Sequence, residues 1–212
     1  MTLMSTGTVA EAADVIEAIG RRERKKRQTR DDLIEAAARL FAERGFDETT
    51  TEDIAEAADV SQRTFFRHFP SKEAVLYGGD EEAEVGFRNA IAGRPTDEPP
   101  LVAVSAALRT LTASYAGDPE RTFLQAKLAA AYPSVSAYSR AVVQRGLERV
   151  IIGALAERMD VDPVADPRPE VIAGAAMSAL RVALRQWVVA GGAADLLDLA
   201  AVALTSISEE AR

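Results

Sequence analysis

Residues 61–72 read SQRTFFRHFPSK and gather three phenylalanines, two arginines and the chain's only histidine. Phe65 and Phe69 stand four apart, so on a helix they share a face suited to packing. Gln62, Arg63 and Arg67 fall on the other side, with Phe66 near them. Such side chains in the first turn of a short helix can meet base edges in a major groove. Arg pairs bidentately with guanine and Gln with adenine, each worth about 1–3 kcal/mol of discrimination. Thr64 and Lys72 have the chemistry to hold phosphate oxygens, contacts that fix register without reading sequence. The bland alternative is a solvated face on an ordinary small helix. Catalytic chemistry has little to work with, because cysteine is absent and His68 is the sole histidine. That excludes cysteine-ligated zinc and His-based triads. Neither an enzyme nor a cofactor is expected.

The elements that must position this stretch are legible around it. Thr29 and Asp32 have the spacing of an N-cap and its partner. DDLIEAAARLFAER then places Leu33, Ala37, Leu40 and Phe41 on one stripe, and Gly45 reads as a stop with Phe46 folding back. Either Thr49 with Glu52 or Thr50 with Asp53 caps a second short helix, whose Ile54, Ala55 and Ala58 face inward. Asp59-Val60 reads as a tight turn, since Asp tolerates left-handed backbone. Ser61 caps the next helix. Pro70 ends it by pushing residue 69 out of the α region, and Ser71 caps a fourth. Three short helices, the last two joined by a tight turn, are the pattern of a helix-turn-helix.

Charge is divided along the chain. The net charge is −8, yet RRERKKRQTR at 21–30 holds seven basic residues against one acidic. A basic segment just before a DNA-binding head lies along the backbone or enters the minor groove. Arg24, Lys25, Lys26 and Arg27 therefore join the candidate DNA contacts, with a solvated tail as the alternative. Residues 1–28 are expected as a flexible, basic arm, 29–77 as the DNA-binding head and 78–212 as a larger helical body. No signal peptide or membrane span is visible, and a cytoplasmic protein is expected.

Beyond residue 80 the sequence is helical, with loops at 92–100, 117–120, 131–136 and 160–170. The whole chain reads as all-α, with about nine helices. Candidate pocket positions in the body are Phe87, Tyr115, Phe123, Tyr132, Tyr138, Met177 and Trp187, the alternative for each being a core role. Arg109, Arg181 and Arg185 either pair with body carboxylates or meet an anionic ligand.

ARLFAERGF, TTTEDIAEAADVS and SQRTFFRHFPSKEAVL resemble the head of the tetracycline-repressor (TetR) family of bacterial regulators, across roughly residues 29–77. The resemblance implies a three-helix DNA-binding head and a variable helical domain that dimerises and holds a small ligand. It implies DNA contacts at Thr51, Gln62, Arg63, Thr64, Phe66, His68 and Lys72, beside which Ser61 and Arg67 are further candidates. Two positions depart from the family pattern. Asp59 stands where Gly is usual in the turn, and Phe66 where a phosphate-binding Tyr is frequent. The segment from Glu120 to Ala201, with RTFLQAKLAAAYP and LRQWVVAGG, resembles the C-terminal domain of the mycofactocin-regulator branch, which implies a fatty acyl-CoA-like or other apolar effector. The function implied is a homodimeric repressor, paired through its last two helices and released from a palindromic operator by a small molecule. The alternative is a helical ligand-binding or scaffold protein with only non-specific DNA binding.

Overall fold

In a computed structural model of the chain, residues 6–78, 80–115 and 118–209 are described; side chains 6–19, 80–83, 111–115, 197 and 207–209 lie outside that description. Two compact units divide after Gly78. The described residues contain helices and no strand. In the head these are α1 (Thr6–Arg44), α2 (Thr51–Ala57), α3 (Gln62–His68) and α4 (Lys72–Leu76). The body holds α5 (Asp80–Ala92), α6 (Pro100–Tyr115), α7 (Pro119–Ala131), α8 (Pro133–Tyr138), α9 (Arg145–Met159), α10 (Arg168–Val189) and α11 (Leu196–Glu209). A π-helical turn, Ser139–Gln144, joins α8 to α9. The segment count exceeds the nine or so expected because Pro133 and this turn subdivide the chain between 119 and 159.

The N-terminal segment differs most from expectation. Residues 6–28 continue α1 as a helix of 39 residues, where a flexible arm was expected, and Thr29 caps nothing. The physical reason is composition. The segment before Thr29 is rich in Ala, Glu, Arg and Lys, strong helix formers, and contains no proline to break it. Asp32, the expected capping partner, instead accepts a hydrogen bond from Gln28 Nε2 one turn earlier, at 2.8 Å.

The other signals in the head act as read. Gly45 ends α1 with φ +86°, a conformation costly for any residue with a Cβ. Phe46 folds back and lies 5.0 Å from Phe41, centroid to centroid. Of the two capping pairs left open, Thr50 with Asp53 forms the box. The Thr50 hydroxyl and backbone N–H both donate to Asp53, and these bonds hold that carboxyl below its usual range. Thr49 is instead buried, its hydroxyl donating to the Gly45 carbonyl at 2.8 Å. Leu33, Ala37, Leu40, Phe41, Phe46, Ile54, Phe65, Phe69 and Val75 are all buried. α1 packs on α2 and α4, and α2 packs on α3.

The main core of the body draws on α5, α6, α9, α10 and α11 through residues such as Ile91, Leu108, Ile151, Leu155, Leu180 and Leu204. A second cluster, Ala183, Trp187, Leu196 and Ala200, closes the turn between α10 and α11, with Phe123 of α7 packed on it. The loop between α5 and α6 is pinned by Arg158 of α9. Its guanidinium donates to the carbonyls of Arg94 at 3.1 Å and Glu98 at 2.8 Å, and also to that of Pro95. Carbonyl oxygens can hold an arginine this way because its five N–H donors fan out in a fixed plane.

Candidate nucleic-acid interface

The chain enters α3 from a turn in which Asp59 adopts φ +52°, the left-handed conformation expected there. Val60 N–H closes the turn onto the Ala55 carbonyl at 2.9 Å. Ser61 then caps α3, its side chain accepting from Thr64 N–H. Pro70 ends the helix, with Phe69 extended at φ −137° and ψ 127°. Seven residues of helix are therefore fixed at both ends by local chemistry alone.

The two faces separate as their residue types require. Phe65 is fully buried and Phe69 almost so, whereas Phe66 is 51% exposed. The Phe65 ring meets Phe66 edge-on at 5.4 Å and Phe69 at 6.0 Å. Ser61, Gln62, Arg63 and Arg67 are exposed. Gln62 Nε2 donates to Thr51 Oγ1 at 3.1 Å, which joins two of the candidate contacts from separate helices. Thr64 is half-buried, its hydroxyl 3.0 Å from that of Ser61. Lys72 is already engaged, its ammonium donating to the carbonyls of Phe46 at 2.8 Å and Thr49 at 3.3 Å and lying 4.3 Å from the Phe46 ring centre. Lys72 thus ties α4 to the loop between α1 and α2, a structural role that its sequence position did not announce.

Arg24, Lys25, Lys26 and Arg27 are exposed along α1. Arg30 was not among the sequence candidates, yet its guanidinium lies 4.6 Å above the Phe69 ring. The available signal was spacing: Arg30 follows Lys26 by one helical turn, and both act electrostatically on His68.

His68 is half-buried, with Nε2 enclosed and without a hydrogen-bond partner among the described residues. Burial pushes its pKa below the ordinary 6.5, and the charges of Arg67, Arg30 and Lys26 push the same way. The folded head therefore binds this proton less readily than the unfolded chain does. The resulting stability is full above pH 6.5 and is lost as pH falls from there towards the depressed folded pKa. Melting of the head followed by circular dichroism should show that loss on the acid side of neutrality, and His68→Asn should flatten it.

The body candidates do not converge on one lining. Phe87 and Met177 belong to the main core. Trp187 lies in the second cluster, where Phe123 meets it edge-on at 5.4 Å and Gly192 accepts from its indole N–H at 3.2 Å. Tyr132 and Tyr138 are half-buried. Arg109, Arg181 and Arg185 are exposed. Among the described residues, Arg181 donates to Ser178 on its own helix. Tyr115 falls outside the described side chains. Among the described residues no group of His, Cys, Asp and Glu could hold a metal ion, and no helix is long and apolar enough to cross a membrane.

Comparison with known proteins bears on both units. The pattern of the bacterial regulatory proteins of the tetR family matches residues 33–77. That of the MftR C-terminal domain matches 98–211, more than half of the chain and wider than the resemblance read from sequence. The HTH-type transcriptional regulator TcmR of Streptomyces glaucescens is 48% identical over 92 residues, covering 43% of this chain and 41% of TcmR. The HTH-type transcriptional regulator EthR of Mycolicibacterium smegmatis is 37% identical over 82 residues, covering 35% and 38%. The chain thus spans only about two fifths of the length of these curated relatives. Among solved structures, Thermus thermophilus FadR, a TetR-family repressor in complex with lauroyl-CoA, shares the fold with TM-score 0.54 and 24% identity, covering 83% of this chain and 91% of FadR. The chain belongs to the TetR family of bacterial regulatory proteins, with a C-terminal domain of the MftR type.

Proposed function

We propose that this chain is a sequence-specific, DNA-binding transcriptional repressor that acts as a homodimer on a palindromic operator in the cytoplasm. The observation that carries the reading is the division of α3, which buries Phe65 and Phe69 and leaves Gln62, Arg63 and Arg67 in solvent. One helix of seven residues reads too few bases for useful specificity, whereas two held about one DNA turn apart read both half-sites. Exposed Val171 and Val189 of α10 and Val202 of α11 support pairing of two copies through these helices. An effector in the body acts by population shift. It favours a head spacing that mismatches the half-sites, and DNA favours the matched one. Linkage makes the effect reciprocal, so operator DNA weakens effector binding by the same factor.

The acyl-CoA of the FadR complex supports an apolar, anionic effector, and lauroyl-CoA is the probe to try first. The experiment is a gel shift with the DNA upstream of the protein's own gene. Wild-type protein is expected to retard this duplex selectively, and Arg63→Ala to lose about 10- to 100-fold in affinity. Retardation equal to that of unrelated DNA would leave only a helical ligand-binding or scaffold protein.

A further inference from the structure

The hydrogen bond between Gln62 and Thr51 serves no evident need of the fold. Thr50 already caps α2 in a complete box with Asp53, and Ser61 already caps α3. Thr51 and Gln62 are the first residues of those two helices, and their bond lies in an exposed position. Bonds of this kind add little to stability. What it does fix is the Gln62 amide, whose last torsion is broad and roughly two-fold when unconstrained.

One amide N–H is spent on Thr51. The carbonyl Oε1 and the second N–H remain without a partner among the described residues. An acceptor beside a donor matches adenine, which offers N6–H and N7 in the major groove; guanine offers two acceptors there. We propose that Thr51 is a positioning residue that orients the Gln62 amide and so sets a preference for adenine over guanine at one base pair of each half-site. This deepens the proposed function and rests on it. Thr51 acts here through Gln62 and needs no base contact of its own.

The preference separates this role from a phosphate contact, because a backbone contact weakens binding evenly across sequences. Full-length wild-type protein, Gln62→Ala, Thr51→Val, Thr51→Ser and the double variant Thr51→Val/Gln62→Ala are each used to select from a random duplex pool, and the bound DNA is sequenced. Thr51→Val retains the Thr50–Asp53 box, and circular dichroism checks its folding. Gln62→Ala is expected to alter one position per half-site, identifying what residue 62 reads. Thr51→Val should lower the adenine-to-guanine ratio there by about 3- to 10-fold, the scale of one neutral hydrogen bond. Thr51→Ser should restore it, and Thr51→Val should change nothing at that position once Gln62 is gone. A wild-type ratio kept in Thr51→Val would overturn the proposal, whatever the total affinity. So would a position that prefers guanine, or a Gln62→Ala variant with unchanged preferences. Wild-type protein that enriches no sequence would remove the proposed function itself, a result distinct from these.

Discussion

Phe65→Ala is expected to unfold the head while leaving the body intact. Phe65 is fully buried on a helix packed against α2, and truncating a buried phenylalanine costs about 3–5 kcal/mol. The part of the head from the second half of α1 through α4 is about 50 residues and has roughly 3–7 kcal/mol in total. At the middle of both ranges the variant head keeps only about 1 kcal/mol, too little to stay fully folded at 37 °C. Phe66→Ala is the control, one residue away on the exposed face. At 51% exposure its loss should cost under about 1 kcal/mol of stability while still weakening DNA binding. Two probes read the units separately. Trp187 is the only tryptophan and lies in the body, so its fluorescence follows that unit alone, whereas far-ultraviolet circular dichroism sees both. Loss of a low-temperature dichroism transition in Phe65→Ala, with the Trp187 transition unmoved, is the expected result. Equal stability of Phe65→Ala and Phe66→Ala would contradict the division of α3 into an anchoring and a reading face.

The contrast between head and body explains what could be read in advance. Gly45, the Thr50–Asp53 pair, Asp59, Ser61 and Pro70 each act within four or five residues of themselves, so the sequence states their effect. Thr29 failed as a cap although its spacing to Asp32 was correct. A cap needs a chain that is not already helical, and nothing upstream stops α1. Lys72 and Arg30 take their roles from residues brought close by folding, 26 positions away in the case of Lys72 and Phe46. In the body, Phe87, Phe123, Met177 and Trp187 are all aromatic or polarizable, and composition alone cannot divide them between clusters. Packing did so, assigning Phe87 and Met177 to the main core and Trp187, with Phe123 against it, to the turn between α10 and α11. Arg181 and Arg185 stand one turn apart on a largely apolar helix, which left pairing with body carboxylates or an anionic ligand open, and both are exposed.

Removing residues 1–27 should weaken operator binding and flatten its salt dependence. The helical conformation of this segment sharpens the expectation. Arg21 to Arg30 make almost three turns, so their seven positive charges point in all directions and only about half can face one DNA backbone. Each phosphate neutralised contributes about 0.9 to the slope of log K against log salt. If the truncation frees about three phosphates, that slope falls by about 2.7, so the penalty of the truncation should change about 40-fold over a fourfold change in salt. The free segment also repels itself, because Arg22 and Lys26, and Lys26 and Arg30, are like charges one turn apart. Phosphates relieve that repulsion, so the helix of this segment should melt at a higher temperature when wild-type protein binds DNA, a gain that the truncated form should lack. Arg30 lies over the ring of Phe69, the residue that ends α3, which puts the end of this basic segment beside the C-terminal end of the proposed recognition helix. An unchanged salt slope after truncation would reject a DNA role for the segment, leaving a charged rod that repels itself for no benefit in binding.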